Sequence, residues 1–218
     1  MKKLVLLLML VLCVLENYAQ NNDKIEYIHL NDSDFYEGCA NKLLIKGGKN
    51  LSIGCDNASY VLGEGNDKGL IVLIVPNHNV GSVSVTVSED GFFRDVKYFN
   101  VKEVPPARII WIINNKEIDT MQGVPFKNIS KIAHKIIPDV DFAKKFPKEI
   151  KYRIDNIKYT LKRNNEIFLA SENITEISQK AKKGDELEII VEKVKRENFR
   201  WSVLPAKVSN PVINIPIL

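Results

Sequence analysis

Val83, Val85 and Val87 alternate with Ser82, Ser84, Thr86 and Ser88, a period of two that suits an extended strand with one buried and one solvated face. Lys42 to Lys46, Asn50 to Gly54, Gly69 to Pro76 and Val96 to Val104 are further short apolar or alternating runs of strand character. Gly47-Gly48, Gly63-Glu64-Gly65-Asn66-Asp67, Asn77-His78-Asn79 and Glu89-Asp90-Gly91 separate them with residues that favour turns. Leu70 to Val75 is apolar throughout, which suits a central strand covered on both faces. The first half is expected to form an Ig-like β-sandwich.

Pro105-Pro106 follows the last of these runs. A proline pair offers no ladder donors, so a domain boundary is placed there, giving residues 20–104 and 105–218. Counting Lys and Arg against Asp and Glu gives −4 for the first segment and +7 for the second. The second segment reads as a small α+β domain, so the chain as a whole is mostly β with some α. A strand is expected at Arg108 to Ile113, and a two-turn helix over Ile129, Ile132, Ala133 and Ile136, stopped by Pro138. Ile150, Tyr152 and Ile154 alternate in one phase, and Ile157, Tyr159 and Leu161 in the other, which predicts a bulge at Asp155-Asn156. Asn173 as N-cap, Glu176 as its capping-box partner, Lys180, Lys182 and Lys183 at the end and Gly184 beyond them mark a second helix. Strands follow at Leu187 to Val191 and, as an edge, at Val208 to Ile215.

Lys2 and Lys3, the uncharged run Leu4 to Leu15 and the polar stretch ending in Ala19 read as a signal peptide over residues 1–19, cleaved near Ala19. The apolar run is about half the roughly 20 residues a membrane span requires. Cys13 follows the bulky Leu12, which disfavours a lipoprotein anchor. A periplasmic or otherwise exported chain would retain Cys39 and Cys55, and a disulfide between them is expected, worth about 3 kcal/mol on the chain-entropy model. Two buried thiols in neighbouring strands are the alternative.

Little in the sequence points to catalysis. His29, His78 and His134 lie far apart and in no paired-ligand motif, so no metal is expected, and no cofactor either. Gly63-Glu64-Gly65 precedes a strand rather than a helix, which argues for a plain turn over a phosphate-binding loop. Asp139 and Asp141 read as the solvated start of a strand. The basic second domain would suit nucleic acid, but export argues against that partner. Lys144, Lys145, Lys148, Lys151 and Arg153 surround Phe142, Phe146 and Tyr152, while Lys193, Lys195, Arg196 and Arg200 flank Phe199 and Trp201. Lys144, Lys145, Lys148, Arg153, Arg196, Arg200 and Trp201 are therefore candidates for an electrostatically steered protein interface. Solvated lysines over ordinary core aromatics are the commoner cause of such a pattern.

Phe35-Tyr36-Glu37-Gly38-Cys39-Ala40-Asn41-Lys42-Leu43-Leu44-Ile45 resembles the entry to the third domain of the GldM and PorM family. The likeness continues through Phe99-Asn100-Val101-Lys102, the proline pair, Ile129-Ser130-Lys131 leading to Asp139-Val140-Asp141-Phe142, and Gly184-Asp185 with Glu188-Ile189-Ile190-Val191. It covers residues 35–218, the family's last two periplasmic domains. The resemblance implies a non-catalytic structural or interaction module in or beside the type IX secretion and gliding machinery. Outer-membrane-associated secretion proteins would be its partners, and a homodimer would be possible. With a cleavable signal in place of the family's membrane helix, a freestanding relative is expected. A surface adhesin or ligand-binding sandwich, using loops Gly63 to Lys68 or Asn77 to Gly81, is the alternative.

Overall fold

The computed structural model describes residues 24–63 and 69–218. The expected signal peptide, Cys13 and residues 64–68 lie outside the described residues. Among the described residues the fold is mostly β with a few short helices, arranged in four sheets. The chain divides into two compact units between Lys102 and Glu103.

The first unit contains β1 (Glu26–His29), β2 (Phe35–Tyr36), β3 (Asn41–Lys46), β4 (Leu51–Asp56), β5 (Ala58–Leu62), β6 (Leu70–Pro76), β7 (Ser82–Glu89) and β8 (Phe92–Lys102). They form two four-stranded sheets, ordered β1-β3-β6-β5 and β2-β8-β7-β4. Leu43, Ile45, Val72 and Ile74 from one sheet share a core with Ile53, Val83, Val85, Val87 and Phe99 from the other. Val83, Val85 and Val87 are fully buried, as their alternation requires, and β6 lies inside its sheet. Ser84, expected on a solvated face, is buried and donates to Asp56 Oδ2 at 2.8 Å.

The β2–β3 turn shows what the motif residues contribute. The buried Asn41 side chain accepts from the Tyr36 N–H at 2.8 Å and donates to the carbonyls of Tyr36, Cys39 and Ile74. Gly38, at φ +63°, turns its N–H onto the Pro76 carbonyl at 2.9 Å, a backbone conformation that glycine adopts without a Cβ penalty. Phe35 stacks on Phe99 with ring centroids 4.6 Å apart.

The expected Cys39–Cys55 bridge is not formed, and the structure holds two separate thiols. Cys39 is buried in the turn leaving β2, whereas Cys55 is half-buried on β4, and β8 and β7 run between these two outer strands. Cys39 has left β2 for the turn into β3, where Gly38 bonds the Pro76 carbonyl of β6 and Asn41 bonds the Cys39 carbonyl, against the other sheet from β4, and a disulfide forms only where two Cα atoms come within about 7 Å. Burial first, and Asp56 second, pushes the Cys55 thiol up to about 11.

The second unit holds β9 (Arg108–Ile113), β10 (Lys116–Glu117), β11 (Ala133–Ile137), β12 (Lys151–Arg163), β13 (Glu166–Ser171), β14 (Glu186–Glu197), β15 (Val203–Ala206) and β16 (Val212–Pro216). One sheet is ordered β10-β9-β11. The other runs β13-β12-β14-β15, with β16 also on β14. Ile109, Trp111, Ile129, Leu161, Ile177, Leu187, Ile189 and Ile215 share its core. Asn114-Asn115 and Asn164-Asn165 take positive φ at the turns after β9 and β12, as tight hairpins require.

The helix expected over Ile129 to Ile136 is replaced by a 3-10 turn, Phe126–Lys131, and then β11. Pairing of Ala133–Ile137 along β9 outweighs the local helical spacing, and β-branched Ile suits that ladder. Asp139 does not start a strand. It caps α1 (Val140–Lys145), accepting the Phe142 N–H at 2.8 Å. The register shifts between Ile154 and Ile157 form the bulge that the phase change predicts.

Asn173 caps α2 (Ile174–Lys180), accepting the Thr175 N–H at 2.9 Å. Glu176 acts one step removed from the expected capping box. It accepts from Ser171 Oγ, which itself accepts the Asn173 N–H. Gly184, at φ +88°, lies in a later turn closed by the Asp185 N–H on the Lys182 carbonyl.

Candidate functional site

Antiparallel pairing of β12 with β14 sets Lys151 opposite Glu197 and Arg153 opposite Lys195. Two basic clusters about 45 residues apart in sequence therefore meet at one end of this sheet. Leu187, Ile189 and Val191 are buried on β14, and after the bulge Val194 and Arg196 continue inward. Arg196 is thus not an interface cation. Its Nη1 donates to Glu149 Oε2 at 3.0 Å, and both side chains are almost fully buried. The period of two sends Arg196 inward, and burial obliges its charge to find a carboxylate.

That pair fixes the loop that follows. Glu149 Oε2 also accepts the Phe199 N–H at 3.3 Å. Asn198 Oδ1 accepts the N–H groups of Arg200 and Ser202, both at 3.0 Å, and the Asn198 carbonyl accepts the Trp201 N–H at 2.9 Å. Trp201 takes φ +62°, a conformation that a bulky side chain rarely adopts, and remains 70% exposed. Trp111, by contrast, is 3% exposed in the core. Lys151 Nζ lies 3.7 Å above the Trp201 ring centroid, a contact worth about 0.5–1 kcal/mol at an exposed site.

The other candidates divide. Arg200 is exposed beside Trp201 in sequence, with its guanidinium 5.3 Å from the Phe199 ring, and Lys148 is exposed beside Glu149 in sequence. Lys144 and Lys145 are exposed on the last turn of α1, with Lys144 3.7 Å from Asp141. Arg153 is bound to Asp155 at 3.1 Å. Lys195 also reaches Asp155, and its hydrogen bond is the main cause that holds this carboxyl below the usual range.

Sequence reasoning missed Glu149, Asn198 and the Lys151–Trp201 stack. A lone acid in the lysine-rich stretch 144–151 and an Asn three residues before Trp201 were the available signals.

Among the described residues no group of three His, Cys, Asp or Glu is placed to hold a metal, and no helix is long and apolar enough to cross a membrane. In the loop Asn77 to Gly81, Glu37 contacts His78 at 3.1 Å and accepts the Asn79 N–H. Most of the loop Gly63 to Lys68 lies outside the described residues.

No protein-family model matches the chain, and no curated protein matches it. Among solved structures it is similar to the Yersinia pseudotuberculosis adhesin InvE, at 10% identity and a TM-score of 0.32. The match covers 90% of this chain and 60% of the adhesin. A score that low establishes neither a shared fold nor a shared function.

Proposed function

We propose that this chain is an exported, non-catalytic interaction module of the GldM C-terminal type, working in or beside type IX secretion or gliding machinery and docking through the Trp201 tip. The observation that carries the docking role is the exposed indole held at positive φ on a loop whose backbone is tied to Asn198 and to the buried Glu149–Arg196 pair. A large aromatic in a costly conformation contributes little to its own fold, and rigid exposed aromatics beside cations are favoured anchors in protein interfaces. The secretion setting rests on the family resemblance over residues 35–218. Outer-membrane-associated secretion proteins are the proposed partners.

Mild cross-linking and co-purification from the source cells, with the natural chain and with Trp201→Ala, tests both parts. The expected result is an envelope protein captured by the natural chain and lost, at least tenfold, with the variant. Capture of no envelope partner would overturn the proposal. Equal capture by both chains would remove Trp201 from it.

A further inference from the structure

The same tip carries an imbalance of charge. Glu149 is the carboxylate between Lys148 and Lys151 in sequence, and it is turned inward onto Arg196. Two opposite charges are thereby withdrawn from the surface together. Lys148 and Lys151 remain exposed, with no carboxylate within ion-pair distance among the described residues. Arg153, Lys162, Arg163, Lys195 and Arg196 of the same sheet each have one, whereas among the described residues the exposed Lys158 and Lys193 do not and have no exposed tryptophan stacked on them.

The backbone of the loop limits what an anion could find there. A phosphate or sulfate site gathers several backbone N–H groups around one point. Here the N–H groups of Phe199, Arg200, Trp201 and Ser202 are all donated inside the protein, to Glu149 Oε2, Asn198 Oδ1, the Asn198 carbonyl and Asn198 Oδ1 respectively. Recognition is left to side chains: flexible ammonium groups on either side of residue 149, and an indole with Lys151 over one face. Mobile point charges spread along the surface suit carboxylates spaced along a chain, and a rigid indole supplies apolar contact at small entropic cost.

We propose that the Trp201 tip docks an acidic polypeptide segment, with the indole as anchor and Lys148 and Lys151 holding its carboxylates. The proposal rests on the tip being the docking site. The excess of +7 over residues 105–218 steers such a partner toward it over a Debye length of about 8 Å at physiological salt.

The chain's two tryptophans make the test direct, because Trp201 is exposed and Trp111 is buried. Acrylamide quenching of the exposed fraction is measured on the full chain with poly-L-glutamate as probe. The expected result is at least threefold protection of Trp201, reversed by salt and lost in Lys148→Glu with Lys151→Glu. A control of equal charge, Lys158→Glu with Lys183→Glu, should retain it. Absence of protection, or equal loss in the control, would overturn the acidic-segment proposal. So would stronger protection by dextran sulfate than by poly-L-glutamate, which would point to an anionic glycan.

Cellular capture separates this failure from that of the docking role. Capture lost with Trp201→Ala but kept by the charge-reversed chain would leave the docking site standing without an acidic occupant. Capture kept by both would remove both.

Discussion

The two units treat polarity in their interiors differently. The first closes on aliphatic and aromatic side chains from two facing sheets, and among its described residues the buried polar ones, Asn41 and Ser84, are neutral. The second buries charge. Glu149 meets Arg196 beside the Trp201 loop, and the buried Asp185 receives two hydrogen bonds from Arg163 at 2.8 Å. A neutral amide such as Asn41 can pin a turn at any ordinary pH, whereas a buried ion pair pins a loop only while both charges are present. The second unit uses the costlier device where an exposed loop must be held still.

Removing one charge from the second unit should therefore do more damage than truncating the core of the first. Glu149→Ala leaves Arg196 buried without its carboxylate and is expected to cost about 3–5 kcal/mol. Loss of amide protection in hydrogen exchange should be confined to the second unit. Replacing both members, as Glu149→Leu with Arg196→Met, should recover most of that loss, because an uncompensated charge is the main penalty.

Ile45→Ala opens a cavity at a fully buried position of the first unit, at a cost of about 2–5 kcal/mol. Its effect should be confined to the first unit.

Acid separates the units next. Hydrogen bonding from Arg163 holds the Asp185 carboxyl below its usual range, so the ionised form is favoured in the folded state. Its stabilisation is complete above the unfolded value near 3.8 and is lost as pH falls through the lower folded value. Asp185→Asn should flatten that strongly acidic limb in the second unit and leave the first unchanged, as followed by circular dichroism against pH.

The smallest effect should fail to distinguish the units. Burial lowers the pKa of His29 in the first unit and of His134 in the second. The folded state prefers each imidazole neutral, so this contribution is full above about 6.5 and declines as pH falls from there. Both units should soften slightly between pH 6.5 and 5.

Much of the β framework was legible because strand alternation is local. The valines of β7, the phase change in β12 and the Asn173 cap each announce themselves within a few residues. Ile129 to Ile136 misled because helical spacing there competes with a ladder to β9, some 20 residues earlier, which no local pattern reveals. Cys39 and Cys55 misled for a related reason. The chain between them changes sheets, so closeness in sequence did not become a bond.

The candidate site was half legible. Trp201, Arg200 and Lys148 stood out as aromatic and basic residues, but which cation pointed inward depended on the strand phase across the bulge in β14. Arg196 continues the buried series of Val194, and its partner Glu149 lies 47 residues away.

The most direct test of the tip as a surface shaped for docking is thermal unfolding of Trp201→Gly beside the natural chain. Glycine accepts φ near +62° without the penalty a bulky side chain bears, and the lost stack on Lys151 is worth only about 0.5–1 kcal/mol. The expected result is an unfolding temperature of the second unit unchanged or raised by a few degrees, together with loss of partner capture. A fall in unfolding temperature comparable to that of a core truncation would contradict it, because Trp201 would then be serving the fold.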